Sequence, residues 1–112
     1  MIKGTSLFSN IGIAETYLER NGIDIVVANE LIPERARFYK FLHPKTDVIT
    51  GDITKDEIFN EVIKKSLDNK IEFLLATPPC QGMSVAGKMD ENDPRNSLII
   101  KVVEFIEIVK PK

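Results

Sequence analysis

Apolar residues in this chain fall into two patterns, short continuous runs and longer stretches spaced at three and four. Ile23 to Ala28 (IDIVVA) and Ile71 to Ala76 (IEFLLA) are nearly unbroken apolar runs, the pattern of strands buried on both faces. Val48-Ile49-Thr50 predicts a shorter strand broken by Gly51-Asp52, and residues 3–9 (KGTSLFS) predict another that enters a turn at Asn10 to Gly12. Between them the period changes. Ala14 to Asn21 carries Ala14, Tyr17 and Leu18 on one helical face, with Gly22 as its stop. Pro33 suits the first turn of a helix that runs to about Phe41, and Pro44 prevents its continuation. Lys55 to Leu67 places Ile58, Val62, Ile63 and Leu67 at helical spacing, and Asn96 to Val109 does the same with Leu98, Val102, Phe105, Ile106 and Val109. Asn29 and Glu30 read as the end of the second strand, and Thr77 to Arg95 reads as a long loop.

Strand followed by helix four times over is the doubly wound α/β class with a parallel sheet. The alternation calls for a fifth strand where the last helix runs into Lys110-Pro111-Lys112, so the fold is expected to be incomplete, holding the first four βα units.

Composition narrows the function. The chain has 112 residues, 43% of them hydrophobic and 29% charged, enough apolar residues for a core, and no apolar stretch approaches the roughly 20 residues a membrane span needs. The N-terminus lacks the apolar core of a signal peptide. One cysteine and one histidine exclude an internal disulfide and an all-Cys/His zinc site, no metal is expected, and a reducing, cytoplasmic setting follows. The net charge is −2. A protein that binds nucleic acid unaided carries a basic face, so a nucleic-acid function here would have to borrow its positive charge from elsewhere.

In open α/β sheets, ligands lie beyond the carboxyl ends of the strands. The candidates are therefore Phe8 to Gly12, Glu30, Asp52 and Thr77 to Gly82. Gly12 suits either a tight turn or a close backbone approach to a ligand, and the absence of a G-x-G-x-x-G run counts against a dinucleotide. Glu30 stands about 20 residues past the first turn, where an acid accepts hydrogen bonds from ribose hydroxyls; otherwise it is a solvated cap of the Pro33 helix. Asp52 either caps the helix near Lys55 or accepts from an adenine amino group. Cys80 follows two prolines in a polar loop, a poor position for a core residue and a good one for a nucleophile, although no cationic neighbour in sequence lowers its pKa. His43 reads as a surface residue, and Glu57 to Lys70 as a solvated helix face.

Taken together, the motifs resemble those of the DNA (cytosine-5) methyltransferases, in the family's order and over nearly the whole chain. Ser6-Leu7-Phe8-Ser9-Asn10-Ile11-Gly12 is similar to the first cofactor motif, Ala28-Asn29-Glu30 to the second and Gly51-Asp52-Ile53 to the third. Thr77-Pro78-Pro79-Cys80-Gln81-Gly82-Met83-Ser84 resembles the family's highly specific Pro-Cys-Gln motif, and Asp93-Pro94-Arg95-Asn96-Ser97-Leu98 the next. The resemblance implies a Rossmann-like S-adenosylmethionine-dependent methyltransferase fold. It implies Phe8 stacked on adenine, Glu30 on the ribose hydroxyls, Asp52 and Ile53 framing adenine, and Gly12 near the methionine moiety. Pro79 and Leu98 would border the same pocket, and Ser9, Asn10, Ile11 and Leu31 would complete the cofactor-binding set. Cys80 would add to C6 of a cytosine flipped out of double-stranded DNA, making C5 nucleophilic enough to accept a methyl group.

The departures are Ser6, where the family has an acid, and Asn10 and Ile13, where it has glycines. The family's Glu-Asn-Val and Gln-Arg-Arg motifs and its target-recognition domain have no counterpart in these residues. The resemblance therefore implies the N-terminal part of a catalytic domain, inactive alone, from a bacterial restriction-modification enzyme, with an open sheet edge through which it self-associates. A tRNA cytosine-5 methyltransferase of the same family and a non-catalytic nucleotide-binding half-domain remain as alternatives. An NAD(P) oxidoreductase fragment is disfavoured by the missing glycine run.

Overall fold

The computed structural model describes residues 1–78 and 96–112. Four strands and four helices alternate among them. They are β1 (Ile2–Leu7), α1 (Ile13–Arg20), β2 (Ile23–Glu30), α2 (Pro33–Leu42), β3 (Asp47–Thr50), α3 (Asp56–Asp68), β4 (Phe73–Ala76) and α4 (Asn96–Val109). The strands form one parallel sheet in the order β3-β2-β1-β4. The chain thus winds outward from β1 to β3, crosses back and continues on the other side of β1, the doubly wound arrangement the alternation predicts.

The β-branched and apolar residues of β1 and β2 alternate between two helix-covered faces. Leu7, Val27, Ile49 and Ile53 pack with Phe59, Val62 and Ile63 of α3, Ile71, and Phe105 of α4 in one continuous core. Thr5 points to the same side, where its hydroxyl and that of Ser66 on α3 share a buried hydrogen bond of 2.8 Å. Ser6, the next residue, faces the opposite side and meets α1. On α4, Leu98, Val102 and Val109 support the core while Ile100, Val103, Ile106 and Ile108 are exposed. No helix of the described residues is long and apolar enough to cross a membrane.

Element boundaries shift where pairing or backbone strain decides. β1 stops at Leu7 rather than reaching residue 9, because Phe8 takes a left-handed φ of 57°. β2 runs past Ala28 and does end at Glu30, since β3 pairs Asn29 with Ile49 and Glu30 with Thr50. β4 begins at Phe73, two residues later than the apolar run suggests, while Ile71 goes into the core. The expected loop from Thr77 to Arg95 lies outside the described residues beyond Pro78.

Candidate functional site

The carboxyl ends of β1, β2 and β3 open into one cavity of about 500 Å³, within the range of small-molecule sites. Phe8, Ser9, Asn10, Ile11, Gly12, Glu30, Leu31, Asp52, Ile53 and Leu98 all line it. Every described residue that the motifs singled out for cofactor binding is therefore brought together, from four separate stretches of chain. Pro79 and Cys80 lie outside the described residues.

The first wall is the turn after β1. Phe8, Asn10 and Gly12 all have positive φ, at 57°, 54° and 81°. Such a strained alternation needs external anchors. It has them: Ser9 N–H donates to the Asn29 carbonyl at 3.1 Å, Asn10 N–H to Glu30 Oε1 at 2.9 Å, and Thr77 Oγ1 to the Phe8 carbonyl at 3.2 Å. Gly12 is required by what lies behind it. A Cβ there would sit 2.7 Å from the Tyr39 ring and 2.8 Å from His43 Cδ2. His43 Nε2–H donates to the Gly12 carbonyl at 2.8 Å, and its ring lies 4.9 Å, centroid to centroid, from Tyr39. His43 is thus no surface residue. It is half-buried and braces the first turn from α2, a role hidden in sequence because its partner is 31 residues away.

Glu30 forms the second wall and is 6% exposed, against the solvated alternative. Its two oxygens receive different backbone donors, Oε1 from Asn10 and Oε2 from Ile32 at 2.8 Å, tying the first turn to the start of α2. Asn29 beside it donates through Nδ2 to the carbonyls of Ile49 and Gly51, at 2.8 and 3.1 Å, and so fastens β2 to the turn after β3. In that turn Asp52 does not cap α3, whose cap residue is Lys55. Asp52 Oδ1 instead accepts from the N–H and the hydroxyl of Thr54, at 2.9 and 2.7 Å. Those two bonds hold its carboxyl below the usual aspartate range, the backbone donor contributing most.

Sequence reasoning passed over several lining residues, among them Glu15, Arg35 and Leu75. Glu15 is 4% exposed, and its Oε1 accepts a 2.7 Å hydrogen bond from Ser6 Oγ. Its charge also bears on the Tyr39 phenol, which burial first and Glu15 second push far above the usual tyrosine range. The signal available was Ser6 itself: a family-typical acid is missing there, and an acid follows nine residues later. Among the described residues, no three acidic, histidine or cysteine side chains gather as a metal site would require.

The family profile described as C-5 cytosine-specific DNA methylase matches residues 2–112. The chain belongs to that family. Type II methyltransferase M1.HgaI of Avibacterium volantium is 50% identical over 115 residues, covering 98% of this chain and 32% of that protein. A protein encoded within an Escherichia coli prophage shares the fold at a TM-score of 0.76 and 23% identity, over 99% of this chain and 30% of that one. Spodoptera frugiperda DNMT2, in a triple-mutant crystal structure, matches at a TM-score of 0.68 and 27% identity, over 97% of this chain and 32% of that one. The chain thus spans about a third of the length of each of these proteins. Residues from three of the motif stretches, 6–12, 28–30 and 51–53, line the cavity.

Proposed function

We propose that these residues form the N-terminal, cofactor-binding and nucleophile-bearing part of the catalytic domain of a DNA (cytosine-5-)-methyltransferase of a cytoplasmic restriction-modification system. The observation that carries the reading is the convergence of the described motif residues on one cavity at the carboxyl edge of the sheet.

The donor set fits S-adenosylmethionine. Phe8, Ile11, Leu31, Ile53 and Leu98 offer apolar faces for an adenine, and Glu30 and Asp52 offer acceptors for ribose hydroxyls and an amino group. Ser9 Oγ is buried in the same wall with no hydrogen-bond partner among the described residues, a polar atom that a ligand would satisfy. Bound there, the cofactor supplies the methyl group for cytosine C5.

The chain's own chemistry begins at Cys80. Its thiolate adds to C6 of the flipped cytosine, the C5–C6 double bond opens, and C5 gains the electron density that makes it a nucleophile. Once C5 is methylated, loss of its proton to a base re-forms the double bond and expels the Cys80 thiolate. The partner is double-stranded DNA. With a net charge of −2, the 112 residues carry no excess of basic over acidic side chains for phosphates, so alone they are expected not to methylate DNA, and β4, which ends the sheet among the described residues, favours self-association.

The test is transfer of labelled methyl from S-adenosylmethionine to DNA and, separately, to tRNA by the intact protein and its Cys80→Ser variant. Transfer to DNA that disappears in the variant supports the proposal. Transfer confined to tRNA, or undiminished by the substitution, contradicts it.

A further inference from the structure

The Ser6–Glu15 pair has no role in the motif reading, and it places a carboxylate in the cavity wall from α1. Glu15 is buried, its Oε1 is held by Ser6 Oγ at 2.7 Å, and among the described residues it makes no ion pair and no second hydrogen bond. A buried carboxylate without a cation is costly, so a retained one points to a cation that is missing.

Among the described residues the cavity supplies none. Its other acids already have donors of their own, Glu30 one backbone N–H on each oxygen and Asp52 two from Thr54 on Oδ1. Arg35, the one cationic residue among the described lining, is exposed and pairs with no described carboxylate. A cation brought in with the ligand would answer that carboxylate. The same wall holds the orphaned hydroxyl of Ser9, also buried. A carboxylate with one open oxygen and an unpartnered hydroxyl, both lining this cavity, suit a zwitterionic α-amino acid group, the ammonium on Glu15 and the carboxylate on Ser9.

We propose that Glu15, aimed by Ser6, recognises the α-ammonium of the cofactor's amino-acid moiety. This rests on the S-adenosylmethionine reading above. The ammonium is chosen over the sulfonium because only it carries N–H donors for the open Glu15 oxygen. Glu15 also stands in the first turn of α1, where an acid complements the helix dipole. That role alone predicts no dependence on which ligand is bound.

The test is calorimetric titration of this chain and its Glu15→Gln variant with two thioethers, S-adenosylhomocysteine and 5′-methylthioadenosine. The second keeps the adenosyl group and lacks the amino acid. Glutamine retains an oxygen for Ser6, and binding of 5′-methylthioadenosine reports that the pocket is intact. Glu15→Gln is expected to weaken S-adenosylhomocysteine by about tenfold or more, the scale of one charged hydrogen bond, and 5′-methylthioadenosine by less than about twofold. Equal losses for both ligands, or none for S-adenosylhomocysteine, would overturn the assignment while leaving the cofactor reading standing. Failure of the unsubstituted chain to bind either ligand would overturn both.

Discussion

Glu30 and Asn10 are joined by a 2.9 Å hydrogen bond from the Asn10 N–H to Glu30 Oε1, across 20 residues of sequence. With Oε2 receiving the Ile32 N–H, one buried carboxylate sets the distance between the turn after β1 and the start of α2. Glu30→Gln keeps one acceptor and turns an amide N–H₂ against the other donor. We expect it to cost about 1–3 kcal/mol of stability, the penalty of one unsatisfied buried N–H, measurable by denaturant unfolding.

Gly12 allows no side chain, because φ is 81° and the Tyr39 ring occupies the Cβ position at 2.7 Å. Gly12→Ala must both hold a left-handed residue and displace that ring. The expected loss is about 2 kcal/mol or more, with a lowered Tm. Gly22→Ala is the comparison: it also has positive φ, at 86°, but nothing lies within 4 Å of its Cβ. The smaller loss belongs to Gly22.

These contacts show what the sequence could and could not disclose. Strands and helices were legible because apolar runs and helical spacing report burial, which pairing and packing then enforce. The first-turn, second-strand and third-turn residues were legible through their order and their resemblance to a known family. Glu15 and His43 were not. A polar residue in a first helical turn and a histidine at a helix exit both look solvated until the sheet brings Ser6 and Gly12 against them. Their meaning depends on partners nine and 31 residues away, a distance that no local pattern spans.

Asp52 predicts a pH dependence. Its folded carboxyl is held below the ordinary aspartate value by the two Thr54 bonds. A depressed acid contributes stability that is present above its unfolded pKa and is lost as pH falls through the folded value. Stability should therefore decline below about pH 4. Asp52→Asn, which keeps an oxygen for Thr54 and does not titrate, should flatten that decline. The effect is modest because Asp52 is only half-buried. Identical acid limbs for the two chains would refute the assignment.

The most direct measurement is calorimetric titration of the chain with S-adenosylmethionine, with NAD as the control ligand and Phe8→Ala as the variant. Phe8 lines the cavity and, in the cofactor reading, stacks on adenine. Removing one aromatic partner of a base costs about 1–3 kcal/mol, so the variant should bind roughly 5- to 150-fold more weakly. Binding of S-adenosylmethionine that NAD does not match and that Phe8→Ala loses is the predicted result. No binding, equal binding of NAD, or a variant indistinguishable from the parent chain would contradict the account.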